Sequence, residues 1–125
     1  MISAHLGLFA ELFRMKKTVI TKFEIDGFHH YPNAPKEVDF LSYNHRHTFK
    51  IKCGYQVEDL NREKEIFIYR NKVNKFLFNK YGMPCEFENM SCEMIAKEIL
   101  EQYKKDDMIF CEVWEEETGG ARVEV

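Results

Sequence analysis

His45 and His47 stand two residues apart in a run whose character alternates: His45, His47, Phe49, Ile51, Cys53 and Tyr55 in one phase, Arg46, Thr48, Lys50 and Lys52 in the other. On a β-strand such a pair points to one face with Cα atoms ~6.6 Å apart. That spacing lets both imidazoles reach a single ion at Zn–N distances of about 2.0–2.1 Å. A second alternating run, Thr18 to His29, sets Val19, Thr21, Phe23, Ile25, Gly27 and His29 on one face and Lys22, Glu24, Asp26 and Phe28 on the other. His29 from this strand completes a three-histidine set with a fourth position free for water or substrate, which is the arrangement of a catalytic zinc. The same residues also suit a core or a pocket lined by hydrogen-bonded histidines, and one bulge would exchange His29 for His30.

The elements that must position these residues are legible from period and punctuation. Tyr31-Pro-Asn-Ala-Pro35 ends the first strand, since proline removes donors and fixes the backbone, and a loop is expected to about Tyr43. Glu65 to Tyr69 reads as a short strand. Asn71 then caps a helix carrying Val73, Phe76, Leu77 and Tyr81 on one stripe, stopped by Gly82 and Pro84. A second helix, capped by Ser91 or Asn89, repeats Cys92, Ile95, Ala96, Ile99, Leu100 and Tyr103 at helical spacing, with Glu93 in its first turn. Met108 to Glu115 forms a strand, and Thr118-Gly119-Gly120 turns it into a last strand from Ala121 to Val125. The predicted class is α+β, in the order strand, strand, helix, helix, strand, strand. Residues 1–16 read as a helical extension and residues 17–125 as one domain.

With 125 residues, 45% hydrophobic and 31% charged, the chain can bury a single core without a metal or disulfide staple. A metal site in it is therefore expected to be functional. Eighteen basic against 21 acidic side chains, with no basic run, argue against a nucleic-acid binder. Cys53, Cys85, Cys92 and Cys111 form no close pair, so reduced thiols are expected. The apolar stretch Leu6 to Phe13 is too short to span a bilayer and lacks the flanks of a signal peptide. A soluble cytoplasmic protein with no membrane partner follows as the expectation.

Four segments together resemble the family of 6-pyruvoyltetrahydropterin and 6-carboxytetrahydropterin synthases. They are His29-His30-Tyr31 at the end of the first strand, His45-Arg46-His47 in place of the family's His-Gly-His, Met90-Ser91-Cys92-Glu93 in place of Pro-Thr-x-Glu, and Val113-Trp114-Glu115 before a glycine turn. The likeness spans Thr18 to Val125, and the order of elements equals the family's tunnelling fold (T-fold), an antiparallel sheet with two helices that closes into an oligomeric barrel. The resemblance implies zinc held by His29, His45 and His47, a pterin or purine-like ligand anchored by Glu115 with Glu93 also binding substrate, and a homo-oligomer, trimer or hexamer, with sites at subunit boundaries. It implies a carbon–oxygen lyase of pterin or queuosine-type biosynthesis acting on a dihydroneopterin triphosphate-type substrate.

Departures from the family pattern open other readings. The stretch Asp39 to Asn44 lacks the cysteine that the family places before its histidine pair, and Phe78 to Gly82 lacks its Asp-His pair. Glu37, Asp39 and Cys92 are the candidate replacements, beside their plainer readings as a solvated loop and a small core residue. A ligand-binding protein of the same fold without catalysis, and a purely structural oligomer, stand next to the lyase.

Overall fold

The computed structural model describes residues 15–125, so the expected helical extension lies almost wholly outside the described residues. The two alternating runs form strands of 13 residues each, β1 (Lys17–His29) and β2 (His45–Val57). They pair antiparallel over their whole length, from Lys17 opposite Val57 to His29 opposite His45, with no bulge between them. Strand phase therefore turns His29 inward, and His30 is left at the strand end.

The remaining strands are β3 (Cys85–Glu86), β4 (Met108–Glu115) and β5 (Gly119–Glu124), and the sheet order is β3-β1-β2-β4-β5. Only β3 runs parallel to its neighbour, β1. Two residues are too few to show a period in sequence, and this strand went unpredicted. Helix α1 (Ile66–Tyr81) lies over β1, and α2 (Cys92–Tyr103) over β4 and β5, all on one face of the sheet. The other face carries the charged positions of the alternation, with Arg46 paired to Asp26 at 2.7 Å.

Helix α2 is built as its sequence dictates. The Ser91 hydroxyl accepts from the Met94 amide at 3.2 Å, and Cys92, Ile95, Ala96, Ile99, Leu100 and Tyr103 are all buried. They meet Ile51, Cys53, Tyr55, Cys111 and Val113 from the inward phase of β2 and β4. Each fully buried aliphatic side chain here contributes about 1.5–3 kcal/mol.

Two local expectations are corrected. Residues 66–69 open α1 rather than forming a strand, and its cap is Glu65, whose carboxylate accepts from the Phe67 amide at 2.8 Å; Asn71 lies inside the helix. Ile66, Phe67 and Ile68 mimic a strand because they are bulky and apolar, yet they are 51%, 60% and 55% exposed, so no sheet face claims them. The hairpin between β4 and β5 turns at Glu116-Glu117-Thr118, with Glu116 in the left-handed region at φ 49°. Gly120 belongs to the strand instead. A Cβ there would lie 2.5 Å from the Val113 carbonyl oxygen, so close approach of β4, not a turn, requires glycine.

Proline and the acidic stretch after it produce the expected break. Residues Tyr31 to Tyr43 contain a 3-10 turn (Lys36–Ser42), tied back by the Tyr31 amide donating to the Leu41 carbonyl at 2.8 Å. Among the described residues no helix is long and apolar enough to cross a membrane.

Candidate metal centre

The two longest strands end together, and their last inward positions carry the chemistry. His29 faces His45 across the β1–β2 pairing, Gly27 faces His47, and Glu115 at the end of β4 faces Phe49. Directly opposed residues share a face, so His29, His45, His47 and Glu115 gather on the helix side of the sheet. Their ligating atoms all lie within 4.8 Å of one another. The imidazole centroids are 4.6 Å apart for His29 and His45, 4.9 Å for His45 and His47, and 5.3 Å for His29 and His47. Phe49 supports the group from below, its ring edge-on to His29 at 5.2 Å and to His47 at 5.6 Å. Gly27 leaves the room for this packing, since a Cβ would come to 3.0 Å of Phe49 and 2.9 Å of Phe87.

Each ring is oriented through Nδ1. His29 Nδ1–H donates to the Met90 carbonyl at 2.8 Å, His45 Nδ1–H to the Tyr43 carbonyl at 2.8 Å, and His47 Nδ1–H to Glu116 Oε2 at 2.9 Å. A carbonyl or carboxylate can only accept, so each ring donates from Nδ1, and in the neutral tautomer this selects it is Nε2 that carries the lone pair. Nε2 of His29 and Nε2 of His47 are buried without a hydrogen-bond partner. The Glu115 carboxylate lies close to both, Oε2 being 2.9 Å from His29 Nε2 and 3.6 Å from His47 Nε2. Lone pairs facing a carboxylate in a dry site repel one another, and a cation between them reverses that sign. Three imidazoles and one carboxylate, each imidazole with its outer nitrogen engaged, form a donor set that fits a divalent metal of the zinc type.

Electrostatics agree with that use. Burial holds the His29 imidazole below its ordinary range, against the raising influence of the Met90 carbonyl and the Glu115 carboxylate. The neutral form that ligates metals is thereby favoured. Burial works against the charge on Glu116, but the Thr48 amide, 2.7 Å from Oε1, and the His47 imidazole outweigh it and hold this carboxyl below the usual range. Glu116 thus grips the backbone of β2 with one oxygen and orients His47 with the other.

A cleft of about 660 Å³ opens beside the cluster, lined among others by His29, His45, Glu115, Cys92, Glu93 and Gly120. Glu93 is exposed at its mouth, at the start of α2. Cys92 is at once a core residue and a wall of the cleft. Burial, and then the neighbouring Glu115 carboxylate, push its thiol up to about 12. The helix N-terminus therefore does not make it a thiolate, as its position alone suggested. Glu37 and Asp39 sit exposed on the 3-10 turn and do not line this cleft; Leu41 does. Two contributors escaped the sequence reading. The Met90 carbonyl leaves no trace in side-chain type. Glu116 escapes because it follows the last strand residue, and its left-handed backbone, which takes the side chain out of the alternation, leaves no mark in residue type.

No protein-family model and no curated protein matches the sequence. Solved structures do match in shape. An uncharacterized protein of Wolinella succinogenes aligns over 88% of this chain and 98% of its own, with a TM-score of 0.64 at 11% identity. The 6-pyruvoyl tetrahydropterin synthase of Caenorhabditis elegans aligns over 89% of this chain and 96% of its own, with a TM-score of 0.61 at 10% identity. At such low identity the likeness speaks for the fold alone, and it agrees with the strand and helix order, the one-sided helices and the whole-chain coverage. The chain has the fold of 6-pyruvoyl tetrahydropterin synthase.

Proposed function

We propose that this protein is a zinc-dependent lyase of the 6-carboxy- or 6-pyruvoyltetrahydropterin synthase kind, acting on a dihydroneopterin triphosphate-type substrate with an altered acid/base set. The observation that carries the reading is the convergence of three Nδ1-anchored histidines on one point, beside Glu115 and at the wall of a cleft. A zinc ion held by His29, His45 and His47 supplies Lewis-acid polarisation of substrate oxygens. Glu115 accepts from the paired N–H donors of a pterin edge, a planar partner that a carboxylate can grip with both oxygens. Glu93 supports the ligand at the mouth of the cleft. Cys92, buried at the wall of the cleft beside Glu115, is the remaining candidate there for a catalytic side chain.

The proton acceptor in this reading is Glu37 or Asp39, presented by the exposed 3-10 turn to the cleft of a neighbouring subunit in a homo-oligomeric barrel. The two open edges of the sheet, β3 and β5, are where such subunits would join.

A second reading, a pterin- or purine-like-ligand-binding protein without catalysis, is favoured by two specific observations. Besides His29 and His45, the described residues that line the cleft of one subunit offer only Glu115, Glu93 and His30 as bases, with no Asp-His pair, and include no lysine or arginine to hold a triphosphate. Incubation with zinc and dihydroneopterin triphosphate, followed by triphosphate release and product mass, separates the two. Release with a lighter pterin product is expected. Tight pterin binding without turnover would reject the lyase in favour of the binding protein.

A further inference from the structure

Glu115 occupies a place that a ring anchor alone does not explain. Its Oε2 lies 2.9 Å from one imidazole Nε2 and 3.6 Å from another, and neither contact is a hydrogen bond, since both nitrogens remain without a partner. A tetrahedral centre with arms of about 2.0–2.1 Å has ligand-to-ligand edges of about 3.3 Å. The two observed separations straddle that edge length. His29, whose Nε2 makes the shorter one, is only 7% exposed and aims that nitrogen into the cluster. With all four ligating atoms within 4.8 Å of one another, the carboxylate stands at the corner that an open catalytic site would leave to water.

Resting on the metal-centre reading above, we propose that Glu115 is the fourth metal ligand of the ligand-free protein and is drawn off the metal by the ligand it recognises. A carboxylate with Oε2 on a cation cannot present both oxygens squarely to a two-donor edge, whereas released from the cation it can. Binding of an aminopyrimidine edge, the shared chemistry of pterins and guanine, thus opens the fourth coordination position at the moment the ligand arrives. The carboxylate can make this move because it stands at the last residue of β4, 30% exposed in its side chain, with the turn of Glu116-Glu117-Thr118 directly after it. The imidazoles cannot follow, each being fixed by its Nδ1 contact. One side chain in this way couples recognition to the opening of the metal.

Cobalt(II) loading with azide as a small competing anion tests the coupling. The wild-type protein should bind cobalt with a four-coordinate visible spectrum that azide leaves unchanged. Glu115→Ala and the size-conserving Glu115→Gln should bind cobalt about tenfold more weakly or worse and should show an azide-dependent spectrum. Neopterin added to the wild type should make its spectrum azide-sensitive or change it directly. Equal cobalt affinity and equal azide response in wild type and both variants would overturn the ligation while leaving the three-histidine reading intact. A spectrum that neopterin leaves unchanged both with and without azide would overturn the coupling. Absence of cobalt binding by the wild type would overturn the metal-centre reading itself, and this inference with it.

Discussion

The inward face of β2 carries two regions of opposite character on one alternation. At one end stand His45 and His47; at the other Ile51, Cys53 and Tyr55, each essentially without exposure. Side-chain period is the same at both ends, but the apolar end pairs with β4 as well as β1 while the histidine end pairs with β1 alone, and the cover differs too. Helices α1 and α2 close over the apolar end, whereas the histidine end meets the chain before α2 and a cleft. The apolar end is held by burial and admits one lone polar group on this face of β2, the Tyr55 hydroxyl, which has no hydrogen-bond partner. The histidine end tolerates three because backbone carbonyls and Glu116 take one nitrogen of each ring, and leaves the other nitrogens for chemistry.

Substitutions at the two ends should therefore separate stability from metal content. The largest effect is expected from His45→Ala and His47→Ala, which should bring bound zinc down to background by elemental analysis while the circular dichroism of the fold persists; equal zinc in both variants and wild type would end the metal assignment. At the other end, Ile99→Ala, emptying space under α2, should cost about 2–5 kcal/mol in denaturant unfolding yet leave zinc bound to the folded fraction. If both ends lost stability and metal together, the division of β2 would be wrong. Glu115→Gln, measured by pterin titration of metal-free protein, should weaken binding by about 1.5–3 kcal/mol, as for other hydrogen bonds to a charged group. The smallest effect should come from Glu116→Gln, which keeps the size but loses the charge held against His47: zinc affinity should fall about tenfold, with the unfolding midpoint little moved. An unchanged affinity would reduce Glu116 to a turn residue.

How far the sequence could be read follows the same division. The period of two placed His29, His45 and His47 on one face, and the helical stripe named all six buried residues of α2, because burial on one side leaves a periodic record. Where burial is not periodic the record fails. Ile66, Phe67 and Ile68 are apolar yet exposed, and they disguised the start of α1 as a strand. Glu115, Glu116 and Glu117 are chemically alike in sequence; strand phase takes the first to the histidine cluster, and past the left-handed backbone at Glu116 the second reaches His47 and the third Lys50 on the opposite face. The resemblance in sequence to tetrahydropterin synthases rested on few residues, and agreement of the whole fold with one such enzyme now stands beside it.

The chain before α2 is strapped to the end of β1 by main-chain atoms. The Phe87 amide donates to the Phe28 carbonyl at 2.9 Å, the His30 amide to the Glu88 carbonyl at 2.8 Å, and His29 Nδ1–H to the Met90 carbonyl. No side chain of residues 88–90 takes part in these three bonds. Sequence drift is therefore cheap there: any residue that leaves the backbone path intact delivers the same carbonyl to His29. A methionine stands at position 90, where the tetrahydropterin synthase pattern has proline; its carbonyl serves His29, while its amide donates to the Phe87 carbonyl at 3.1 Å, a bond proline could not make. Recognition by motif fades at such a strap long before the geometry it maintains does.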